Sequence, residues 1–166
     1  KSAKPNRIDP ILVNLFATRF NSPNEQTTIN RTNVADVFLG KVDFQLNNNN
    51  LMTLRHNFSR AEQVNGTFDV PTWGASANGR ETSKSNSFIG QLVTNFSSTL
   101  LNEFRFQYAK EERPRFYDGP DLPDVTIGTF AGDISYRFGR PFFLPVPSDD
   151  TRLQFTDNFT VIRGNH

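Results

Sequence analysis

The sequence predicts an all-β chain: antiparallel strands of a transmembrane outer-membrane β-barrel, about five to six of them and so a barrel in part, with long extracellular loops and one short helix. Three observations predict it. Long runs alternate aromatic and polar residues with a period of two. Short and long connections alternate between those runs. The apolar inventory is skewed as well: 17 Phe, 1 Trp and 1 Met in a 166-residue chain that is only 36% hydrophobic. A soluble domain normally builds its core from Leu, Ile, Val and Ala. A sheet with one greasy face and one wet face suits this composition better.

Residues 1–33 read as a loop region holding the helix, and residues 34–166 as the partial barrel. Asp9 is a suitable N-cap, with Pro10 at the first helical position and Ile11, Leu12, Leu15 and Phe16 at helical spacing. The Asn21-Ser-Pro-Asn24 stretch stops it, leaving a surface helix packed on a loop. From Val34 the period changes to two. Phe38, Val42, Phe44 and Leu46 share one face, and Lys41, Asp43 and Gln45 share the other. Asn47 to Asn50 forms a polar turn. The next strand, LMTLRHNFSR, sets Met52, Leu54 and Phe58 with His56 against Thr53, Arg55, Asn57 and Ser59.

Ala61 to Thr82, rich in Gly, Asn, Ser and Thr, reads as a loop. A third strand covers Lys84 to Phe96, with Phe88, Leu92 and Phe96 on one parity and Ile89 and Val93 on the other. After a tight turn at Ser97 to Leu100 comes LLNEFRFQYAKEER, which places Phe104, Phe106 and Tyr108 opposite Glu103, Arg105, Gln107 and Glu111. Pro114 to Asp150 reads as irregular, because its prolines at 114, 120, 123, 141, 145 and 147 exclude a central strand; DISYRFG is a short strand within it. The fifth strand, Thr151 to Ile162, sets Leu153, Phe155, Phe159 and Val161 against Arg152, Gln154, Thr156, Asn158 and Thr160. Arg163 to His166 begins another turn.

Loop length and energetics decide between lipid and a soluble core. Consecutive antiparallel strands put alternate connections at opposite ends of a sheet, so all the short turns fall at one end and all the long loops at the other. Outer-membrane barrels have this asymmetry. Strand runs of 10 or more residues match the roughly 9–11 needed to span a bilayer at a tilt. Burying a large apolar side chain contributes about 1.5–3 kcal/mol, and a lipid-facing Arg near mid-bilayer costs about 2–4 kcal/mol. Both terms favour the phenylalanine faces in lipid and the charged faces inward. His56 and Asp157 sit on the apolar parity, which requires a place near an interface or a bulge that switches parity. A closed barrel needs at least 8 strands, so the chain is expected to be a segment of one.

Several function classes have little support. A net charge of +1, from 18 basic and 17 acidic residues, argues against nucleic acid. Without cysteine there is neither a disulfide framework nor a thiolate metal site. No run of some 18 apolar residues predicts a membrane-crossing helix. The first residues, KSAKPNRIDP, lack an apolar leader core, so an exported protein would contain this chain as an internal or processed piece. No catalytic motif is present, and neither an enzyme nor a cofactor is expected. Asp118, Asp121 and Asp124 have ligand chemistry for calcium but lack the loop spacing, so turn chemistry is preferred. The Asn-x-Ser/Thr triplets at Asn30, Asn57, Asn65, Asn95 and Asn158 follow from polar–aromatic alternation. In the long loops, Trp73, Arg115, Phe116, Tyr117, Phe142 and Phe143 are the candidate ligand-contact residues, with loop-on-loop packing as the alternative role.

DVFLGKVDFQLNNNNLMTLRHNFSR resembles the strand–turn–strand unit of TonB-dependent receptors, particularly the Oar-like group common in acidobacteria. STLLNEFRFQYAKEERP, DLPDV, RFGRPFFLP and LQFTDNFTVIRGNH are similar to later pieces of the same receptors, and RIDPILVNLFATRFNSPN to the segment before those strands. The matches run in order along nearly the whole chain. The resemblance implies a barrel of about 22 strands with an N-terminal plug, in the outer membrane of a Gram-negative bacterium. It also implies substrate uptake powered by the TonB energising complex. The implied partners are outer-membrane lipid, the rest of the barrel and plug, and that complex, which would act through regions that this sequence does not include. A surface β protein assembling through strand edges and a soluble β-sandwich binding module are the competing readings.

Overall fold

The computed structural model describes residues 2–3, 8–65, 72–128 and 135–164. Its elements in order are β1 (Ser2–Ala3), α1 (Pro10–Phe20), β2 (Ile29–Asn30), β3 (Thr32–Asn47), β4 (Asn50–Val64), a 3-10 turn (Ala75–Ala77), β5 (Arg80–Ser97), β6 (Leu100–Glu112), β7 (Arg115–Phe116), β8 (Val125–Gly128), β9 (Ser135–Phe138) and β10 (Asp149–Val161). The long strands form one antiparallel sheet in the order β10-β6-β5-β4-β3, with β7 added beside β5. Among the described residues the sheet does not close: β3 and β10 each pair on one side only.

The chain divides into two compact units. One is the sheet, residues 36–60, 83–112 and 149–166. The short turns at Asn48–Asn49 and Ser98–Thr99 belong to it, while the long connections belong to the other unit. Asparagine chemistry closes the first turn, where Asn47 Oδ1 accepts from Asn49 N at 2.9 Å and from Asn50 Nδ2 at 2.8 Å. The expected sorting of connections by length is therefore present in the topology.

Side chains sort by face as the alternation predicts. Phe88 pairs with Tyr108 and Leu92 with Phe104 across β5 and β6; Leu153 pairs with Tyr108 and Phe155 with Phe106 across β10 and β6. Leu54 lies against Gly90, Asn57 bonds Ser87 at 3.1 Å and Thr94 bonds Asn50 at 2.7 Å, which fixes the β4–β5 register. These contacts define rows across the outward face. Three rows are largely apolar: His56–Phe88–Tyr108–Leu153, Leu54–Gly90–Phe106–Phe155 and Met52–Leu92–Phe104–Asp157. Mostly polar rows bound them, Phe58–Asn86–Lys110–Thr151 on the loop side and Asn50–Thr94–Asn102–Phe159 on the turn side. The eight steps from Asn102 to Lys110 span about 27 Å along a strand. At a tilt of about 40° that is roughly 21 Å of membrane normal, close to the roughly 25 Å apolar band of outer-membrane barrels.

His56 and Asp157 lie in the two edge rows of this belt. The β6–β10 register runs without a shift from Asp149 to Val161, so no bulge accommodates Asp157; its place beside the polar rim does. A register shift does occur between Asn95 and Ser97, and Phe96 is the extra residue there, its ring 6.3 Å from that of Phe159.

The sheet has no core of its own. Phe38, Phe96, Leu153, Phe155 and Phe159 are each about 60% exposed, and every buried apolar residue among those described lies in the other unit. Water does not tolerate such a continuous apolar face on a monomer. Hydrocarbon removes the penalty, and the paired backbone meets the requirement that every polar group in lipid find a partner.

The second unit, residues 1–35, 61–82 and 113–148, is built around an ordinary core. Ile8, Phe16 and Phe138 are buried there, with Leu12, Val13, Leu122, Val125, Ile127 and Tyr136 packed round them. Helix α1 starts as predicted: Asp9 accepts from Ile11 N at 2.8 Å and Pro10 opens the first turn. It ends on Asn21, which adopts the left-handed conformation (φ 50°). The helix buries the Leu12–Phe16 face, whereas Ile11 and Leu15 are exposed.

Several sequence expectations need correction. The first long strand begins at Thr32, not Val34. The loop expected from Ala61 to Thr82 is shorter, because β4 runs to Val64 and β5 starts at Arg80. Beyond the belt the outward positions no longer need to be apolar, so the alternation fades while the hydrogen-bond ladder continues. The stretch from Pro114 to Asp150 is less irregular than its prolines imply. It contains β7, and the SYRF part of its DISYRFG piece forms β9, which pairs with an unforeseen partner, β8; Asp133 and Ile134 of that piece lie outside the described residues. The prolines lie outside these short strands.

Two outcomes test the loop unit. Phe138 is fully buried, so Phe138→Ala is expected to cost about 3–5 kcal/mol, measured as increased cleavage of the loops by limited proteolysis of the folded protein. Gly139 has φ +79°, and a Cβ there would overlap the Pro123 carbonyl. Gly139→Ala is expected to destabilise by more than the roughly 1–2 kcal/mol of a left-handed residue alone, with the same readout.

Candidate functional site

The loop unit brings its polar side chains together through three devices. The first is Glu25, fully buried in the loop after α1. Its Oε2 accepts from Ser76 N and Ser76 Oγ, both at 2.9 Å, and Ser76 Oγ accepts from Gly139 N at 2.7 Å. The Glu25 carbonyl also accepts from Ala75 N at 3.0 Å. One residue thereby joins three segments distant in sequence. Gly74 is required beside it, because a Cβ there would strike the carboxylate.

The second device is a forked ion pair. Arg137 on β9 donates through Nε and Nη2 to the two carboxylate oxygens of Asp124, each at 2.9 Å. Phe142 N also donates to Asp124 Oδ2 at 2.9 Å. Burial pushes the Asp124 carboxyl up, but the Arg137 hydrogen bonds, the Phe142 amide and the Arg137 charge outweigh it and hold its pKa below the usual value.

The third device surrounds that arginine with rings. The Arg137 guanidinium lies 5.1 Å from the centre of Trp73, 5.4 Å from Phe142 and 5.0 Å from Phe143. Phe142 and Phe143 meet edge to face at 5.2 Å, and Trp73 lies 6.4 Å from Phe143. Phe142 remains 81% exposed. The result is an aromatic surface with a fixed cation in its middle, held on a hairpin by a carboxylate.

Half of the six sequence-predicted contact residues, Trp73, Phe142 and Phe143, therefore meet at one place. Arg115, Phe116 and Tyr117 make different contacts. Arg115 bonds Glu81 at 3.0 Å, and Phe116 lies 5.0 Å under the Arg80 guanidinium, which itself binds Glu62 and Asp118. The Tyr117 hydroxyl donates to the Pro120 carbonyl at 2.8 Å; burial first, then the Glu25 charge, push its pKa up to about 12, so it stays a neutral donor at physiological pH. The single patch is thus corrected to one aromatic cluster and a separate set of ion pairs. The reason is β7, which ties Arg115 and Phe116 to β5.

Asp118, Asp121 and Asp124 each serve a different arginine, namely Arg80, Arg140 and Arg137. That division leaves no shared metal pocket, and no metal-ligating group occurs among the described residues. Sequence reading missed Arg137 and Glu25. Arg137 carried a signal, since it lies in a strand flanked by the aromatic RPFF run. Glu25 carried none, because nothing in NSPNEQTT marks a buried carboxylate.

On the sheet unit, the polar face carries a shallow groove lined by Ser85, Ser87, Gln107, Ala109, Glu111 and Arg152. Asp43 binds Thr53 at 2.6 Å and Lys41 at 2.9 Å, and Arg105 binds Glu103, so polar side chains on this wall hydrogen-bond one another.

Acid titration tests the forked pair. A carboxylate with a depressed folded pKa contributes stability that is fully present above its unfolded value, about 3.9, and that is lost as pH falls from there through the lower folded value. Trp73 is the only tryptophan in the chain. Its emission is expected to hold steady from neutral pH down to about pH 4 and to change below it; Asp124→Asn should show the altered emission already at neutral pH.

The chain has two-faced strands with an apolar belt of membrane thickness, short turns at one end, and long connections folded into a unit with its own core. In comparisons with known proteins, all of residues 1–166 match one family. No curated protein and no solved structure matches the chain. The chain belongs to the outer membrane beta barrel domain family, and its place is the outer membrane of Gram-negative bacteria.

Proposed function

We propose that the chain is a barrel segment of an Oar-like TonB-dependent receptor that binds a substrate at the cell surface and passes it inward, without catalysis. The observation that carries this reading is the cluster of Trp73, Phe142 and Phe143 on Arg137. Rings held against a fixed guanidinium on a hairpin with its own core form a preorganised recognition surface, and loops on rigid supports are where recognition is commonly placed. Resemblance to these receptors in order along the chain adds to it, and so does the hydrogen-bonded polar wall. In the whole protein the partners would be outer-membrane lipid, the remaining strands, a plug, and the TonB energising complex acting through the plug side. Nucleic acid is not among them.

The open edges of β3 and β10 favour one further reading. Unpaired strands recruit others, so a structural β protein assembling through those edges would present the same sheet.

The parent reading frame separates the two, since a receptor encodes a plug upstream and further strands downstream. The functional test is uptake by cells that depend on the intact protein. Trp73→Ala together with Phe142→Ala is expected to weaken substrate binding by at least tenfold while the protein still inserts and shows heat-modifiable gel migration. Dissipating the proton-motive force should abolish uptake and leave binding intact. Uptake that persists without that energy would remove the TonB reading.

A further inference from the structure

On the outward face of β4, β5, β6 and β10 the basic residues gather at the loop-side rim of the belt, and the charge that stands beside the turn-side rim is the acidic Asp157. On the turn side the bounding residues are Asn50, Thr94, Asn102 and Phe159, all uncharged. On the loop side, Lys110 lies in the first row beyond Tyr108, and the next row is Lys84–Glu112–Asp149. The β4–β5 register adds Arg60 opposite Lys84. A step of two residues is about 7 Å along a strand, or roughly 5 Å of membrane normal at the usual tilt. These charges therefore stand about 5–10 Å above the hydrocarbon edge, at headgroup depth.

Their pairing is incomplete. Lys110 bonds Glu112 at 2.8 Å. Arg60 and Lys84 are both exposed and face one another; neither has a close ion pair among the described residues, although Lys84 stands opposite Glu112 on its other side and feels its charge. Like charges directly opposite on a sheet destabilise it. An anion between them reverses the sign, and a guanidinium beside an ammonium matches a phosphate. With Glu112 and Asp149 included, the five side chains carry a net charge of one positive unit.

We infer that Arg60 and Lys84, supported by Lys110, form a binding site for the phosphate of a lipid headgroup in the leaflet on the long-loop side. The apolar belt directly beneath would take the acyl chains of the same molecule, through Phe88, Tyr108 and Leu153. The inference needs the membrane orientation of the sheet but not the transport reading.

The test uses the full-length protein in detergent micelles and reads lipid dissociation constants by native mass spectrometry. The probes are phosphatidic acid and a diacylglycerol with the same chains, which lacks the phosphate. Phosphatidic acid is expected to bind at least tenfold more tightly. Each cation near a membrane surface contributes about fivefold, so Arg60→Gln with Lys84→Gln is expected to weaken phosphatidic acid binding by about 25-fold and leave diacylglycerol unchanged. Lys41→Gln with Arg55→Gln removes equal charge from the opposite face and should change neither. If the first pair fails to fold, as judged by heat-modifiable migration, Lys84→Gln alone carries the expected fivefold loss. Equal affinity for the two lipids would overturn the inference. So would equal losses in both double variants, or displacement of phosphatidic acid by inorganic phosphate at matching concentration, which would mark a free-anion site.

Discussion

A strand that crosses hydrocarbon must give every backbone N–H and C=O a partner on a neighbouring strand, because no water is there to take its place. That requirement produces the unbroken β6–β10 ladder and a β5–β6 ladder that shifts register only at Phe96, beside the turn, and it leaves the side chains to handle two different solvents. Alternation does so at no cost in backbone geometry: odd and even positions simply face opposite ways. Once Phe104, Phe106 and Tyr108 are committed to lipid, Glu103, Arg105 and Gln107 are committed to the wet side, and the neighbouring strands inherit the same division through cross-strand pairing. A slip of one residue would put Arg105 into hydrocarbon and Phe106 into water, so the register is held from both faces at once.

The two units illustrate two ways of removing apolar surface from water. The loop unit does it internally, stacking Phe16 on Phe138 at 5.0 Å beneath a short hairpin. Many of its polar atoms then find partners within the same body: Glu25 Oε2 in Ser76, Asp124 in Arg137 and Phe142 N, and Asn78 Nδ2 in the Gly74 and Ala75 carbonyls. The sheet does it externally, with the bilayer as the other half of its core. This explains why one chain has large exposed phenylalanines in one part and a fully buried carboxylate in another.

The sheet was legible in the sequence because the bilayer imposes a period-two pattern on it. The identities of the long strands, both short turns and the faces of most residues in β3, β4, β5, β6 and β10 follow from parity alone. Strand ends were less legible: Glu62, Gln63 and Val64 continue β4 into water, where either parity is allowed and the pattern carries no information. In the loops, Asp9 and Pro10 announced α1 because capping is local chemistry. The aromatic cluster was half legible. Aromatic residues in loops stand out by type, but which of them meet depends on β7, β8 and β9 pairing across long stretches of chain. Arg137 and Asp124 are 13 residues apart, and only the β8–β9 hairpin brings them together.

Rigidity is what links the loop unit to recognition. An aromatic side chain on a mobile loop loses conformational freedom when it binds a ligand, and that loss subtracts from affinity. Here the ordering is already supplied by folding. Glu25 ties the 3-10 turn that follows Trp73 to the loop after α1, and Ser76 ties that turn to Gly139, three residues before Phe142. Arg137 O accepts from Gly74 N at 2.8 Å, next to Trp73. The three rings are thus positioned by backbone bonds one or a few residues away from each, and by a guanidinium whose own direction is set by Asp124. The buried carboxylate and the forked pair are the costly elements of this unit, since each takes charge out of water. Both stand beside the aromatic cluster, and what they secure there is the geometry of Trp73, Phe142 and Phe143.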